Sequence, residues 1–203
     1  TEVGLDSGKI TLHGGDACPG FISMGKMYAP FGALLTHFPD DPLTALPVTL
    51  LMGEIIEKTA LVGYEKEVAI GGNKGIISLS GYTFNGDIKE TGDSEDSVDD
   101  FGADINFTLK SGEDTSTTVG GSYISNLADT DGITDVLEEN NVTELDSSVD
   151  GYAAYLSSNM QNLFLDAEYM SALDDFQTGE LNNAAGNGAE PEVWNIEAGF
   201  NYN

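Results

Sequence analysis

The sequence predicts an all-β fold, an antiparallel transmembrane β-barrel with short periplasmic turns and long acidic extracellular loops. Three observations predict this class. Apolar and polar residues alternate along candidate strands, most regularly at 101–110; the connections between strands alternate between short and long; and aromatic residues cluster beside the long connections. A strand with this alternation has one face for lipid or a protein core and one face for water.

Nine segments have a strand pattern bounded by turn residues. They are 9–14, 20–29, 58–68, 75–85, 100–110, 115–126, 149–158, 163–172 and 193–203. A helical spacing of apolar residues is plausible only at 43–58, where Pro47 interrupts it because proline removes a backbone donor. We therefore expect strands to build the fold.

The connections between these segments predict how the strands are arranged. The short connections are "GDACP", "IGGN", "SGED" and "NMQN", and they alternate without a break with long ones such as "GDIKETGDSEDSVD". Antiparallel strands joined in this order put every short turn at one end and every long loop at the other, as in outer-membrane barrels. Greek-key crossings of a soluble sandwich would not sort connections by length so regularly.

Aromatic residues are expected to form a rim at the outer end of the strands, where such girdles meet the membrane interface. The rim residues are Tyr28, Tyr82, Phe84, Tyr123, Tyr169 and Trp194.

Alternation assigns the side chains of three strands to two faces, since strand side chains repeat every two residues. The expected lipid-facing residues are Phe101, Ile105, Phe107, Leu109, Leu163, Leu165, Trp194, Ile196 and Phe200. The expected lumen-lining residues, hydrated and able to influence selectivity, are Asp104, Asn106, Thr108, Lys110, Asp166, Glu168, Asn195 and Glu197. A purely solubilising role for the second group is an equally good interpretation.

The strand count of nine is odd, whereas single-chain bacterial barrels usually have an even number. An open sheet edge is not viable in hydrocarbon. We therefore expect residues 1–203 to form a single, partial β-barrel domain, an excerpt of a larger barrel with strands before Thr1 and after Asn203.

The charge is strongly negative, because 7 basic residues stand against 35 acidic ones for a formal net charge of −28. Arginine is absent, and nucleic acid is excluded as a partner because phosphate contacts require many basic side chains. Such a field favours cations. The single cysteine, Cys18, excludes an internal disulfide and a CxxC metal site.

The acidic segment 129–139 is the best candidate for a cation site. It concentrates carboxylates, which calcium prefers as ligands, although the spacing does not fit an EF-hand loop. The candidate ligands are Asp129, Asp131, Asp135 and Glu138. A solvated acidic loop is the simpler interpretation.

Catalytic motifs are lacking. The chain has only two histidines, His13 and His37, and no GxSxG, HExxH or phosphate-binding glycine loop. We expect no enzyme activity, and no cofactor other than calcium in the acidic loops.

An ordered series of short motifs covers about nine tenths of the chain and resembles one family. The series is "GKMYAPFG", "DPLT", "GE" at 53–54, "KTALVGYE", "YTFNGD", "DDFGADINF", "GGSYISNLADTDGI", "VDGYAAY", "ALDDF" and "GAEPEVWNIEAGFNY". It resembles the LbtU-like siderophore porins of bacterial outer membranes. The resemblance implies a large outer-membrane barrel associated with siderophore uptake, whose long loop at 30–57 begins at the Pro-Phe-Gly turn and folds into the lumen.

The expected function is therefore that of an outer-membrane porin for passive uptake of small solutes, siderophores among them, with an acidic lumen that favours cations. The expected partners are outer-membrane lipid, lipopolysaccharide, the solute and, as an open alternative, further copies of the chain. A secreted or cell-surface all-β structural protein with cation-binding acidic loops is the alternative. A soluble sandwich would bury Phe101, Ile105 and Ile196 against a second sheet.

Overall fold

The computed structural model describes residues 7–15, 18–33, 56–94, 97–112 and 114–200. Its strands are β1 (Gly8–His13), β2 (Gly20–Tyr28), β3 (Ile56–Ile70), β4 (Asn73–Phe84), β5 (Lys89–Glu90), β6 (Asp100–Lys110), β7 (Thr115–Ile124), β8 (Glu144–Leu145), β9 (Gly151–Met160), β10 (Leu163–Ala172) and β11 (Glu192–Phe200). A 3-10 turn at Leu127–Asp129 leads into a helix, α1 (Asp131–Glu139).

Nine of the strands form one antiparallel sheet in the order β1-β2-β3-β4-β6-β7-β9-β10-β11, so strands that follow in the chain are neighbours. The two short strands, β5 and β8, pair in parallel outside this sheet. The prediction of an all-β antiparallel fold is confirmed. The short turns all lie at one end of the sheet and the long connections at the other, and β1 and β11 are the edges of the described sheet.

The hairpin from β3 to β4 turns through two residues, Gly71 and Gly72, whose φ angles are 56° and 86°. Two central residues with positive φ define the turn type whose twist matches antiparallel strands. Glycine adopts this conformation without steric cost, so the sequence "IGGN" encodes the turn directly.

The sheet is curled, as the short segment after β2 shows. The amide of Ala33 donates to Glu168 Oε1 of β10 at 2.6 Å, although β10 is six strand positions from β2. In a flat sheet six spacings would amount to roughly 29 Å. The five residues from Tyr28 to Ala33 span at most about 18 Å. Even with the reach of the Glu168 side chain, β10 contacts this segment only because the sheet bends around it.

The two faces of the curled sheet differ in chemistry. The concave face is the one that carries Ser23, Leu61, Tyr82, Asp104, Ser122 and Glu168, all of them buried. The convex face carries Met24, Val62, Leu79, Ile105, Val119 and Ile196, all of them exposed. Apolar side chains therefore lie on the outside of the curve, while many of the polar ones lie inside.

Aromatic rings on the concave face lie over glycines of the neighbouring strand. At each of these glycines a Cβ would overlap the ring directly opposite in register. The pairs are Phe21 over Gly63, Tyr82 over Gly102, Tyr155 over Gly120 and Phe164 over Gly199. The ring covers the backbone that glycine leaves bare, a device that stabilises glycine-containing sheets.

The largest cluster of buried apolar residues lies at the long-connection end of the sheet. It includes Phe84, Ile88, Ile124, Leu127, Leu137, Leu145 and Phe176. The described parts of the long connections after β4, β7 and β10 therefore form a packed cap instead of extending separately into solvent.

Helix α1 corrects the expectation that 129–139 is an irregular loop. Ile133 and Leu137, four residues apart, share one buried face. Asp131 in the first turn favours the helix because a negative charge there opposes the helix dipole. Burial of two apolar side chains against the cap outweighs the acidic composition.

Tyr82 and Phe84 do not join an outer aromatic rim, because both are buried on the inner side of the sheet. The helical spacing at 43–58 falls mostly outside the described residues, and Ile56 to Lys58 belong to β3. In the described part of the chain, no helix is long and apolar enough to cross a membrane.

Candidate functional site on the concave face

Asp104 is the centre of a hydrogen-bond network on the concave face. Its Oδ2 accepts from Ser122 Oγ and from the Tyr155 hydroxyl, both at 2.8 Å, and its Oδ1 accepts from Asn106 Nδ2 at 2.9 Å. The side chain is only 8% exposed. Three donors satisfy this buried carboxylate, so the network joins β6, β7 and β9.

Glu168 has a different environment, although it lies on the same face. Its Oε1 accepts from the Ala33 amide, while its Oε2 is buried and has no hydrogen-bond partner among the described residues. The residue is 4% exposed. One carboxylate oxygen is thus committed to the protein, and the other retains its capacity to accept.

The segment Ala29–Ala33, here called the strap, crosses the concave side of the sheet. Ala29, Phe31 and Gly32 are buried, and the Gly32 amide donates to Ser122 Oγ at 3.1 Å. Gly32 has φ 76°, and a Cβ there would overlap Met170 Cε and Glu168 Oε1. Only glycine permits this approach. The strap is the start of the 30–57 loop, and residues 34–55 lie outside the described part of the chain.

A cavity of about 290 Å³ lies beside the strap. Its lining includes Ser23, Ser78, Ser80, Asp104 and Asn106, with Met27 and Pro30 at the strap side. Hydroxyl, amide and carboxylate groups are the ordinary lining of a wet interior.

The other sequence-predicted lumen residues occupy the same face in varied settings. Asp166 is 7% exposed, and Asn195 and Glu197 are half-buried on β11. Thr108 shares a hydrogen bond of 2.8 Å with Thr118 across the strands, and Lys110 is exposed at the turn end of β6. Hydration was expected throughout, but Asp104, Asp166 and Glu168 are buried.

The sequence-predicted lipid-facing residues lie on the convex face. Ile105 is 57% exposed and Trp194 is 66% exposed. Phe101, Leu163, Ile196 and Phe200 are also exposed, whereas Phe107, Leu109 and Leu165 are half-buried. In the described part of the structure no second layer covers the exposed side chains.

The cap above the concave face contains a buried lysine. Lys89 Nζ lies 2.9 Å from Asp99 Oδ1 and 3.7 Å from Asp100 Oδ2, and it donates to the Ser97 carbonyl at 2.9 Å. The lysine and Asp100 side chains are each 10% exposed. These contacts tie the 85–99 connection to the start of β6.

Asp129 is buried in the same cap, where Oδ1 accepts from the Ile88 amide at 2.9 Å. The pKa of Asp129 is raised to about 8, chiefly by burial and in part by nearby Asp100, against the opposing effects of the Ile88 amide and Lys89. Its Oδ2 has no hydrogen-bond partner in the described residues.

The four candidate calcium ligands are not brought together. Asp131, Asp135 and Glu138 lie exposed along α1, while Asp129 is buried in the preceding turn. Across the described residues, no group of three or more potential ligands could hold a metal ion. Spacings of four and three place Asp131, Asp135 and Glu138 on one exposed side of α1. Asp129 is apart from them, because it is buried in the preceding turn.

Sequence reasoning missed the strap contacts and the tyrosines on the concave face. The faces of Tyr155 and Tyr82 could not be assigned from the sequence, because apolar and polar residues do not alternate regularly along their strands. Each tyrosine nevertheless stands opposite a glycine. The signal available in the sequence was the pairing of aromatic and glycine positions across adjacent strands. Nothing in the sequence links Ala33 to Glu168, which are 135 residues apart.

Comparison with family models finds no match, and comparison with solved structures finds none either. Among curated proteins, a UPF0422 protein of Coxiella burnetii is 28% identical over 184 residues. The similarity covers 91% of this chain and 37% of the relative, so the chain spans little more than a third of the relative's length.

Proposed function

We propose that this chain forms a transmembrane β-barrel wall of an outer-membrane channel, through which small solutes, siderophores among them, pass passively. The observation that carries the proposal is the distribution of residues between the two faces. Exposed apolar side chains cover the convex face, and carboxylates lie on the concave face. Lipid outside and a polar interior require this arrangement.

In a soluble protein the convex face would be in contact with water, which is unfavourable for a face covered by apolar side chains. Ile10 is 74% exposed and Leu12 68% exposed, and Val62 and Ile196 continue the apolar surface across the sheet. Contiguous exposed apolar surface of this kind marks a binding or membrane surface. Lipid is the occupant that an entire sheet face fits best.

The connections support an outer-membrane orientation. Short turns stand at one end, where periplasmic turns lie in bacterial barrels, and the described long connections, which are rich in acidic residues, form the packed cap at the other. Sheet edges cannot remain unpaired in hydrocarbon, so the proposal requires that β1 and β11 be paired in the membrane.

The acidic interior suggests the selectivity of the channel. Asp104, Asp166, Glu168 and Glu197 lie on the concave face, where Lys9 is exposed on the edge strand β1, and Lys74 and Lys110 are exposed at the turn end. Excess negative charge along a pore favours cations over anions.

The single tryptophan provides a test of lipid contact. Trp194 lies exposed on the convex face near the long-connection end of β11. In vesicles of phospholipids brominated along the acyl chain, its fluorescence should be quenched most by bromines nearest the headgroup. A matched control carries Trp194→Phe with Phe164→Trp, which moves the indole to the concave face and should show little quenching. Equal quenching of the two proteins, or a monodisperse protein without detergent, would favour the secreted all-β alternative.

Conduction is tested with the full-length protein in planar bilayers. A salt gradient should give a reversal potential of the sign expected for cation preference, and anion preference would overturn the acidic-lumen part of the proposal.

An uptake experiment tests which solute passes. It compares the uptake of ferric siderophore chelates by proteoliposomes with the uptake of uncharged sugars of similar size. Sugar uptake without chelate uptake would remove siderophores from the proposal.

A further inference from the structure

The two oxygens of the Glu168 carboxylate are in different situations. Oε1 accepts the Ala33 amide at 2.6 Å, a short distance typical of a charge-assisted hydrogen bond. Oε2 is buried without a hydrogen-bond partner in the described part of the chain. A buried carboxylate oxygen that lacks a donor is costly, and it is stabilised by a cation or a water molecule that reaches it.

The strap lies across the interior, and Glu168 is one of its attachments. The strap leaves β2 at Tyr28, contacts β7 through Gly32 and Ser122, and contacts β10 through Ala33 and Glu168. These attachments lie on strands four and six positions away from β2. A segment held in this way crosses the space inside the curve of the sheet and lies against Glu168.

We infer that Glu168 has two roles in the channel: Oε1 positions the strap through the Ala33 amide, and the charge on Oε2 sets the preference for cations at the point that the strap crosses. This inference rests on the proposed function for its second role. The first role is a property of the folded chain and stands without conduction.

Neighbouring acids do not combine these features. Asp104 already accepts from Ser122, Tyr155 and Asn106, so its charge is dispersed over three donors. Asp166 lies on the same face two residues before Glu168, but in the described structure the strap amides of Gly32 and Ala33 donate to Ser122 and Glu168 and not to Asp166. Asp166 is therefore the matched control for charge.

Two substitutions separate the two roles. Glu168→Gln keeps an oxygen that accepts from Ala33 and removes the charge, so the strap should stay in place. Glu168→Ala removes both the acceptor and the charge, so the Ala33 attachment is lost. Ser122→Ala removes the other attachment, the acceptor of the Gly32 amide.

Hydrogen exchange of the Ala33 and Gly32 amides in detergent micelles tests the strap role. Glu168→Ala should accelerate exchange at Ala33 by about tenfold or more, because a hydrogen bond to a charged group protects the amide. Glu168→Gln should retain most of the protection, and Ser122→Ala should affect Gly32 first. Unchanged protection of Ala33 in a folded Glu168→Ala protein would overturn this role. Folding is verified by the exchange of β6 and β9 amides in the same spectra.

Bilayer recordings test the selectivity role. Glu168→Gln should lower the cation-to-anion permeability ratio by up to about fivefold. A single negative charge about 4 Å from a cation in water raises the cation's occupancy of that position by about this factor. Asp166→Asn should lower it less, and Glu168→Ala should also raise the single-channel conductance. If Asp166→Asn has the larger effect, Glu168 does not set selectivity. A wild-type protein that does not conduct overturns the proposed function and this role together, while the exchange experiment still decides the strap role.

Discussion

Tyr82 and Gly102 stand directly opposite each other on β4 and β6, and the phenol of Tyr82 lies over the Gly102 backbone, where a Cβ would overlap the ring and its hydroxyl. The ring is buried, and the hydroxyl has no hydrogen-bond partner among the described residues. Packing of the ring on the bare backbone therefore holds Tyr82 on the concave face, without a hydrogen bond from its hydroxyl.

Substitution Gly102→Ala should destabilise the protein, because the added methyl displaces the Tyr82 ring from the sheet. Overpacking of a filled site typically costs about 1–3 kcal/mol of unfolding free energy. Denaturant titration in detergent measures the change. Gly81→Ala is the control, since a Cβ at Gly81 meets nothing within 4 Å. Equal stability of the two variants would show that the ring moves aside freely.

Substitution Lys89→Met should loosen the cap. Removal of the Lys89 ammonium group leaves the buried Asp100 carboxylate without its cation. Loss of one member of a buried ion pair lowers the free energy of unfolding by at most about 3–5 kcal/mol. Partial exposure of Asp99 reduces the loss.

Thermal unfolding of Lys89→Met is compared with that of Lys74→Met, whose partner Glu67 and own side chain are more than half exposed. The control should change stability by at most about 1 kcal/mol. Adding Asp100→Asn should recover part of the loss in Lys89→Met, and no recovery would contradict the pairing.

Asp129 should make the stability of the cap depend on pH. Its pKa is raised from 3.8 to about 8, so the folded state binds a proton that the unfolded state releases. The resulting stabilisation is fully present below about pH 4 and is lost as the pH rises to about 8, and the size of the pKa rise sets its upper limit at roughly 6 kcal/mol. Asp129→Asn keeps an acceptor for the Ile88 amide and should remove this dependence. The test compares wild-type and variant unfolding at pH 5 and pH 8.5. A difference that does not change between the two pH values would contradict the protonation of Asp129.

Substitution Ile105→Lys should oppose insertion into lipid if the convex face meets the bilayer. A lysine on the lipid face costs about 2–4 kcal/mol near the midplane and less toward the interfaces. Asn106→Lys, one residue along and on the concave face, is the control and should insert nearly as well as wild type. The yield of folded protein in phospholipid vesicles, titrated with urea, measures both. Similar losses for the two variants would argue against lipid on the convex face.

The strand pattern was sufficient for much of this architecture. Alternation at 101–109 places Ile105 and Asp104 on opposite faces, and the structure agrees because a period of two has only one solution in a sheet. It could not identify α1, because the pair Ile133 and Leu137 is short and surrounded by acids. It also could not place Tyr82 and Phe84, since burial at the cap depends on contacts between connections far apart in sequence.

The strand pattern predicted only part of the candidate site. Asp104 and Glu168 followed from alternation, but the sequence made them equivalent. What distinguishes them is the set of donors: Ser122, Tyr155 and Asn106 for one, and the strap amide for the other. These donors come from other strands and from a connection, so no local pattern encodes them.

The apolar cap reverses the usual rule for where foreign sequence can be inserted. Long surface connections normally accept insertions, whereas tight hairpins accept them less often. Here the long connections supply Leu127, Leu137 and Phe176 to a packed cluster, while Gly71 and Gly72 are exposed and a Cβ at either meets nothing within 4 Å. An epitope tag for purification, or for detection from the periplasmic side, is therefore best placed at the Gly71–Gly72 hairpin, and the same tag after Ala128 would open the cap.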